Sequence, residues 1–357
     1  MSAPTTDADA RTADPPRRGP DLDPGRAVPA EGIDAGVPWH YGDPLREQRV
    51  LTTAAGVIDQ SHRDVVTVTG ADRLGWLHSI CSQHLSELAD GQSVEALVLS
   101  PHGHVEQHWQ LTELGEQVWI DTEPGAAPVV LDYLEKMRFL KRVQPQDVSD
   151  DWAVLALAGP SAQNVLEAAG LPVPGAGAAL SIADAGFVRR VRPWTEASAP
   201  EFALVLPRAE AAQVAAKLRS AGAEPVGTWA YAALRIDQLR PRLGLETDHR
   251  TIPHEVGWID TAVHLNKGCY RGQETVARVH NLGKPPRRLV RVHLSGMTDV
   301  LPEPGTPVES GGRTVGFVGT AMQHHELGPV ALAVVKRNLP ADASLSVAGE
   351  PVAIDAG

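Results

Sequence analysis

Apolar runs along the chain alternate between patterns typical of strands and patterns typical of helices. Residues 65–69 form a short β-branched run that ends at Gly70 and is followed by apolar positions at helical spacing. Residues 153–158 form a second apolar run, which Gly159 separates from a helical pattern over 161–169. Because the order of strand, glycine and helix occurs twice, the sequence predicts two related α/β halves.

Short strands and helices elsewhere in the chain occur in separate groups. Strand patterns over 95–99, 105–111 and 118–121 are separated by turn residues, as in an antiparallel meander. Helical patterns follow over 127–139 and 229–239. This segregation predicts an α+β fold and argues against a doubly wound parallel sheet.

The two ends of the chain differ from its middle. Residues 1–38 are rich in Pro, Asp, Arg, Ala and Gly, and a segment that buries so little apolar surface is predicted to be a disordered tail. Over 285–357 the helical patterns vanish, and short strands between Gly and Pro turns predict an all-β barrel domain. Residues 39–284 are therefore assigned to the main domain.

Composition and charge narrow the class of protein. The chain has 357 residues, 43% of them hydrophobic, and a net charge of −12, which disfavours bulk binding to nucleic acid or to an anionic membrane. It has no apolar run long enough for a membrane span and no visible secretory signal, so we expect a cytoplasmic protein. Its two cysteines, Cys81 and Cys269, are too few for a four-thiolate site, so we expect no iron–sulfur cluster of its own.

The sharpest local feature is the octapeptide Lys-Gly-Cys-Tyr-Arg-Gly-Gln-Glu at 267–274. Cys269 lies between Lys267 and Arg271, and nearby cations favour the reactive thiolate. From 267 to 291 the chain carries seven Lys or Arg residues and one acid, Glu274, which suits a multiply anionic ligand. The alternative interpretation is a surface cysteine in an ordinary turn before a helix.

This octapeptide resembles the signature of the YgfZ family, Lys-Gly-Cys-Tyr-x-Gly-Gln-Glu, at every fixed position. The resemblance to the wider aminomethyltransferase-like superfamily covers about residues 40–350. The segments that carry it are 55–63, 66–72, 234–237 and 251–255. The resemblance implies a folate-binding α+β body around a central channel, followed by a C-terminal β-barrel.

The same resemblance implies tetrahydrofolate as a bound ligand. Asp237 matches the superfamily position whose carboxylate, usually a glutamate, accepts hydrogen bonds from the pteridine edge. The alternative for Asp237 is an ordinary ion pair on a helix surface. The basic run is expected to meet the anionic tail of folate. The expected ligand-binding residues are Asp237, Lys267, Tyr270, Arg271, Gln273 and Glu274.

Glycine-cleavage aminomethyltransferases carry an acidic residue beside the reacting folate amine. By alignment its place falls on Gln107, and a neutral amide cannot take a proton. Glu106 alternates to the opposite face of the predicted strand. The resemblance therefore implies little or no aminomethyltransferase activity. His102, His104, Glu106 and His108 share strand parity, but they span ~20 Å and are interpreted as a polar face and not a metal site.

The resemblance thus implies a folate-dependent factor for assembly or repair of iron–sulfur proteins, including tRNA-modifying enzymes. Cys269 is its expected functional thiol, and its expected partners are iron–sulfur client or assembly proteins. One alternative is a folate-dependent aminomethyl or one-carbon transferase. The other is an RNA-binding module that uses the basic run, although the chain lacks a familiar RNA-binding motif and is only 4% aromatic.

Overall fold

The computed structural model of the chain describes residues 19–20, 22–23, 25–183, 185–297, 300–340 and 343–355. The strands in these residues are β1 (Val28–Pro29), β2 (Pro38–His40), β3 (Gly56–Asp59), β4 (Asp64–Thr69), β5 (Gln92–Leu99), β6 (Val105–Leu114), β7 (Gln117–Thr122), β8 (Gln144–Asp147), β9 (Trp152–Ala158), β10 (Ala179–Ser181), β11 (Phe187–Arg190), β12 (Glu201–Pro207), β13 (Glu224–Val226), β14 (Arg287–His293), β15 (Pro307–Ser310), β16 (Arg313–His324), β17 (Gly328–Lys336), β18 (Leu345–Val347) and β19 (Glu350–Ile354). The α-helices are α1 (Pro44–Thr53), α2 (Arg73–Ile80), α3 (Ala127–Lys136), α4 (Ala162–Ala168), α5 (Arg208–Ser220), α6 (Thr228–Asp237), α7 (Trp258–Thr261) and α8 (Gln273–Leu282).

Two sheets and a barrel organise these elements. The first sheet has the order β5-β6-β7-β4-β8 and is antiparallel, which confirms the predicted meander. The second has the order β10-β11-β12-β9-β3-β13, in which the β3–β13 pair is parallel. Strands β14-β17-β16-β15-β18-β19 close into a barrel. The α+β fold class and the C-terminal barrel are therefore confirmed.

The predicted order of strand, glycine and helix is present in both sheets. Gly70 follows β4 and Gly159 follows β9, and both have positive φ angles, 110° and 124°. A Cβ at Gly70 would collide with the carbonyl oxygen of Arg142, and one at Gly159 with that of Ala54. Only glycine fits both the conformation and the close approach, so the two turns are made the same way.

The segment before α1 is ordered, which corrects the predicted tail over 1–38. Strand β1 pairs with β2, a 3₁₀ turn spans Gly32–Asp34, and Leu22 and Val37 are each 2% exposed. Leu22, Ala30 and Val37 are buried whereas Val28 is 41% exposed, so three apolar side chains anchor the segment. Residues 1–18, the rest of the predicted tail, lie outside the described residues.

Helix α6 joins the main domain to the barrel. Ala233 and Ile236 pack against Met322, Val330 and Leu332 of strands β16 and β17. The barrel is thereby fixed to the helix that also lines the site described below. No helix in the described ranges is both long and apolar enough to cross a membrane.

Candidate functional site

A cavity of about 120 Å³ lies where the two sheets, α6 and α7 meet. An apolar cavity of roughly 150 Å³ holds benzene, so this one is on the scale of a small planar ring system. Six arginines and five carboxylates are among its described lining residues, which makes the cavity highly polar. They are Arg63, Arg189, Arg192, Arg235, Arg240, Arg242, Asp34, Glu95, Asp121, Glu123 and Glu201.

Buried ion pairs hold most of these charges. Asp121 pairs with Arg189 and, at 3.2 Å, with Arg63. Glu123 pairs with Arg242 at 2.7 Å and with Arg63 at 3.5 Å. Burial acts to raise the pKa of Asp121, but Arg189 and Arg63 outweigh it and hold that pKa below its usual range. The carboxylates therefore stay charged, and this wall of the cavity is rigid.

Asp34 reaches the cavity from the N-terminal segment. Its Oδ1 accepts a hydrogen bond from Arg242 Nη1 at 2.7 Å and lies 2.9 Å from His62 Nε2. Burial acts to raise the pKa of Asp34, but the hydrogen bond to His62 and the charge of Arg242 lower it well below its ordinary value. Sequence reasoning missed Asp34 because it lies within the predicted tail, and only Val37 nearby hinted at order.

Glu201 is the cavity carboxylate at the start of β12. Its Oε1 accepts from the Tyr231 hydroxyl at 2.6 Å, and its Oε2 accepts from Arg240 Nη1 at 2.7 Å. The Arg240 guanidinium also lies over the Tyr231 ring at 5.1 Å. Arg240 Nη2 is buried without a hydrogen-bond partner in the described chain. This cluster therefore offers a bound molecule a free donor beside a carboxylate.

His108 and Glu95 form a dyad on neighbouring strands β6 and β5. His108 Nε2 lies 3.1 Å from Glu95 Oε2, which also accepts from Thr261 Oγ1 at 3.1 Å. Burial acts to raise the pKa of Glu95, but the hydrogen bond from His108 keeps it below its ordinary value. Because an ionised carboxylate only accepts, His108 Nε2 is the donor in this hydrogen bond. The His108 ring stacks on Trp258 with centroids 4.6 Å apart.

Comparison with known proteins places this cavity in a familiar architecture. The family described as GCVT N-terminal domain matches residues 27–179, and the family described as CAF17, C-terminal beta-barrel domain matches residues 287–356. Over these two ranges the chain is similar to a GCVT N-terminal domain and to a CAF17 barrel. The cavity described above is called the central cavity below. The start of the match at residue 27 agrees with the ordered segment that carries Asp34.

Individual relatives agree with this assignment. The aminomethyltransferase of Rubrobacter xylanophilus is 29% identical over 87% of this chain and 85% of its own length. An Arabidopsis thaliana protein named "Putative transferase At1g60990, chloroplastic" is 26% identical over 73% of this chain, which spans only 60% of that protein. The crystal structure of the glycine cleavage system aminomethyltransferase T from Bartonella henselae superposes with a TM-score of 0.79 at 23% identity, over 92% of this chain and 93% of that one. That likeness shows the fold.

Gln107, where the alignment placed the missing acid, does not face the central cavity. Its side chain is buried on the core face of β6, where Oε1 accepts from Trp109 Nε1 at 2.9 Å. His108, the next residue, lines the cavity. A shift of one residue along a strand reverses the face, so an alignment error of one position changes the chemistry assigned to the site.

Asp237 also lies outside the central cavity, contrary to its expected role. Residues Thr228, Tyr231, Ala232 and Arg235 make the cavity face of α6 by helical spacing, and Asp237 falls on another face. Its Oδ2 lies 3.1 Å from His324 Nε2 and its Oδ1 accepts from Arg291 at 3.3 Å. These partners belong to the C-terminal barrel, so Asp237 links the main domain to the barrel. The geometry does not support a hydrogen bond to a pterin.

The octapeptide forms a loop that is anchored from below. Lys267 is 6% exposed, and its ammonium donates to the backbone carbonyls of His78, of Cys81 at 2.6 Å and of Gln83 at 3.0 Å. These carbonyls lie at and beyond the end of α2, where helices leave acceptors free. Burial lowers the pKa of Lys267. None of the eight octapeptide residues is among those that line the central cavity.

The remaining octapeptide side chains divide between scaffold and surface. Tyr270 packs under Lys267, 5.1 Å from its ammonium, and burial raises the pKa of Tyr270 to about 12. Gln273 donates to the Lys267 carbonyl at 3.2 Å, and Arg271 pairs with Glu106 at 3.2 Å. Glu274 is exposed in the first turn of α8. Tyr270, Gln273 and Arg271 were expected to contact the ligand. In the structure they contact Lys267 in the same loop or Glu106 in strand β6.

Cys269 is exposed at the top of this loop, whereas Cys81 is buried. Burial raises the pKa of the Cys81 thiol, which makes it a poor nucleophile. In the described chain, no group of three or more His, Cys, Asp or Glu side chains is arranged to hold a metal ion. Cys269 is therefore the solvent-accessible thiol of the two.

Proposed function

We propose that this chain binds tetrahydrofolate in the central cavity and serves, as in the YgfZ branch, the assembly or repair of iron–sulfur proteins. The observation that carries the proposal is the cavity itself. It combines a carboxylate, unpaired donors and an aromatic wall within an aminomethyltransferase-like fold. The cytoplasmic location and the iron–sulfur partners expected from the sequence are part of this proposal.

Buried polar atoms without partners support a ligand of this kind. Arg240 Nη2 and His62 Nδ1 have no hydrogen-bond partner among the described residues, although burial of such groups normally requires one. Glu201 uses its two oxygens once each, and a carboxylate has about four acceptor sites. A pterin, whose edge offers both donors and acceptors, matches this set.

The cavity mouth suits the rest of the ligand. Arg192 is exposed at the lining and has no ion pair with a described residue, so it suits the anionic glutamate tail of folate. Trp194 also lines the cavity and offers a flat surface for the ring system, whereas Trp258 is covered by His108. Within this arrangement His108 Nδ1 would accept a proton or a hydrogen bond from an amine of the ligand.

Calorimetric titration with tetrahydrofolate tests the ligand. Glu201→Gln should weaken binding by about 10- to 100-fold, because hydrogen bonds to a charged group contribute roughly 1.5–3 kcal/mol. Asp237→Asn is the matched control and should bind within about twofold of wild type. The proposal fails if the wild-type chain does not bind, or if both variants bind alike.

Complementation of a deletion strain tests the iron–sulfur role. Cys269→Ser should abolish recovery of iron–sulfur enzyme activity in cells and leave tetrahydrofolate affinity near normal, since Cys269 lies outside the cavity. Cys81→Ala is the control, because that thiol is buried. Full complementation by Cys269→Ser would remove the thiol from the function.

A folate-dependent one-carbon transferase is the second candidate, and the His108–Glu95 dyad favours it. A base oriented by a carboxylate is a common catalytic arrangement. Relatives such as the Rubrobacter protein carry the name aminomethyltransferase. Formation of methylene-tetrahydrofolate from an aminomethyl-lipoyl carrier, lost in His108→Gln, would establish this activity. Its absence at high enzyme concentration leaves the first function.

A further inference from the structure

A second concave surface, here called the basic groove, lies between α8, the connection to the barrel and the end of β17. It has a volume of about 1120 Å³, above the usual size of small-molecule pockets. Five exposed cations line it: Arg250, Arg278, Lys284, Lys336 and Arg337. It shares no lining residue with the central cavity.

The charges of the basic groove are unbalanced. Glu255 is the one acid in its described lining, and Arg287 neutralises it with contacts of 2.8 Å. The side chains of the five exposed cations form no ion pair with a described residue. Elsewhere on the surface, cations such as Lys136 and Arg142 pair with Asp132 and Asp72. In a chain of net charge −12, this local excess is selective for an anionic partner.

The floor of the groove is apolar. Ile252 and Pro285 are buried there, and Val279 and Pro286 continue the same surface. An apolar centre with a charged rim is the pattern of protein–protein interfaces. A phosphate backbone makes no contact that needs an apolar floor. The described lining contains no Phe, Tyr or Trp, and His104 is its one ring for stacking a base. The chemistry favours polypeptide over nucleic acid.

The groove is held in shape before anything binds. Gly283 ends α8 with a positive φ of 63° and turns the chain into the two prolines. The backbone N–H of Arg337 then donates to the Pro286 carbonyl at 2.9 Å and ties the connection to the barrel. Because the backbone segments that carry the cations are already fixed, binding has to order only the side chains, which favours affinity.

We propose that the basic groove docks an acidic segment of a partner protein, whose carboxylates meet the cations and whose apolar side chains lie on the Val279 floor. This inference does not depend on folate binding. Docking here also leaves the central cavity unobstructed, because the two sites share no residue.

Fluorescence anisotropy on the full chain tests the proposal with three labelled probes of equal charge. The probes are a peptide alternating Glu and Leu, an oligo-Glu peptide and an oligouridine. The Glu-Leu peptide should bind at least about fivefold more tightly than either other probe, because only it uses the apolar floor. Its binding should weaken as salt is raised.

Matched variants locate the binding. Arg278→Glu with Lys284→Glu should weaken the Glu-Leu peptide by about tenfold or more. Lys217→Glu with Arg313→Glu makes the same change of charge at exposed positions outside the groove and should alter binding less than about twofold. Tetrahydrofolate affinity should be unchanged in both, which separates this proposal from the previous one.

Three results would overturn the proposal. They are no binding of the Glu-Leu peptide at millimolar concentration, equal weakening by both double variants, and tighter binding of oligouridine than of the peptide. The last result, with loss in the groove variant, would assign the surface to RNA.

Discussion

The central cavity and the basic groove are built from the same residue types used in opposite ways. In the cavity, buried arginines are matched by carboxylates, so it offers directed hydrogen bonds and little net field. In the groove, exposed cations lie without acids, so it offers a field and few directed contacts. Burial explains the difference, because an unpaired charge is tolerated only where water reaches it. The cavity is suited to one small ligand, and the groove to an extended one.

The largest expected difference between the two regions is the loss of stability at low pH, which should come from the cavity and not from the groove. The pKa values of Asp34, Asp121 and Glu123 in the cavity are held below their ordinary values. A carboxylate with a depressed folded pKa contributes stability above its unfolded pKa and loses it as pH falls through the folded value. Thermal unfolding followed from pH 7 to pH 3 should show the main loss below about pH 4.5.

The groove supplies the contrast in that experiment. Its five exposed cations form no ion pair with a described carboxylate, so removing one of them should leave the acid-induced loss of stability unchanged. Lys284→Gln should give the same pH profile as wild type. A profile that is flat down to pH 3 would contradict the assignment of the buried pairs.

Removing one cavity carboxylate should be the most damaging single substitution. Asp121→Ala leaves Arg63 and Arg189 without a shared partner and should lower the free energy of unfolding by about 3–5 kcal/mol. Asp132→Ala breaks an exposed pair with Lys136 and should change it by less than about 0.5 kcal/mol. Denaturant unfolding of the two variants measures both changes in the free energy of unfolding. Equal changes would show that burial does not decide how much an ion pair contributes.

Loosening the dyad should affect ligand affinity more than stability. Glu95→Gln weakens the hydrogen bond that orients His108, and we expect tetrahydrofolate affinity to fall about tenfold. Glu106→Gln is the control and should leave affinity unchanged, because Glu106 is exposed on the same face of β6 but outside the cavity lining. Calorimetry measures both. An unaffected Glu95→Gln would show that His108 does not contact the ligand.

The smallest expected effect is at the join between the domains. Asp237→Ala removes contacts to His324 and Arg291 at a partly exposed site and should lower the free energy of unfolding by about 1 kcal/mol. The barrel remains packed on α6 through Ile236 and its neighbours. If the same variant abolished tetrahydrofolate binding, Asp237 would return to the ligand site.

Local patterns predicted the elements because their causes are local. Gly70 and Gly159 interrupt apolar runs, and each turn in the structure requires glycine for its own conformation and close contact. The barrel followed from short strands between Gly and Pro turns. The octapeptide indicated a tight loop, and Lys267 and Gln273 make that loop.

The candidate site was predicted less well from the sequence, because its residues are far apart in the chain. Asp34, Glu95 and Glu201 come from different segments, and no spacing links them. Asp237 was chosen by its match to a motif, but the face of a helix depends on packing with a domain whose contacts the motif does not encode. Gln107 and His108 differ by one position, which is the precision that a strand demands.

The 3₁₀ turn that carries Asp34 gives the first forty residues a practical importance. A recombinant protein trimmed to begin at Trp39 would retain every α-helix and the two large sheets, yet Arg242 and His62 would lose their shared acceptor. The shortened protein would have a cavity that is open on the side where Asp34 lies. Ligand affinities measured on it would therefore describe an altered cavity and not that of the whole chain.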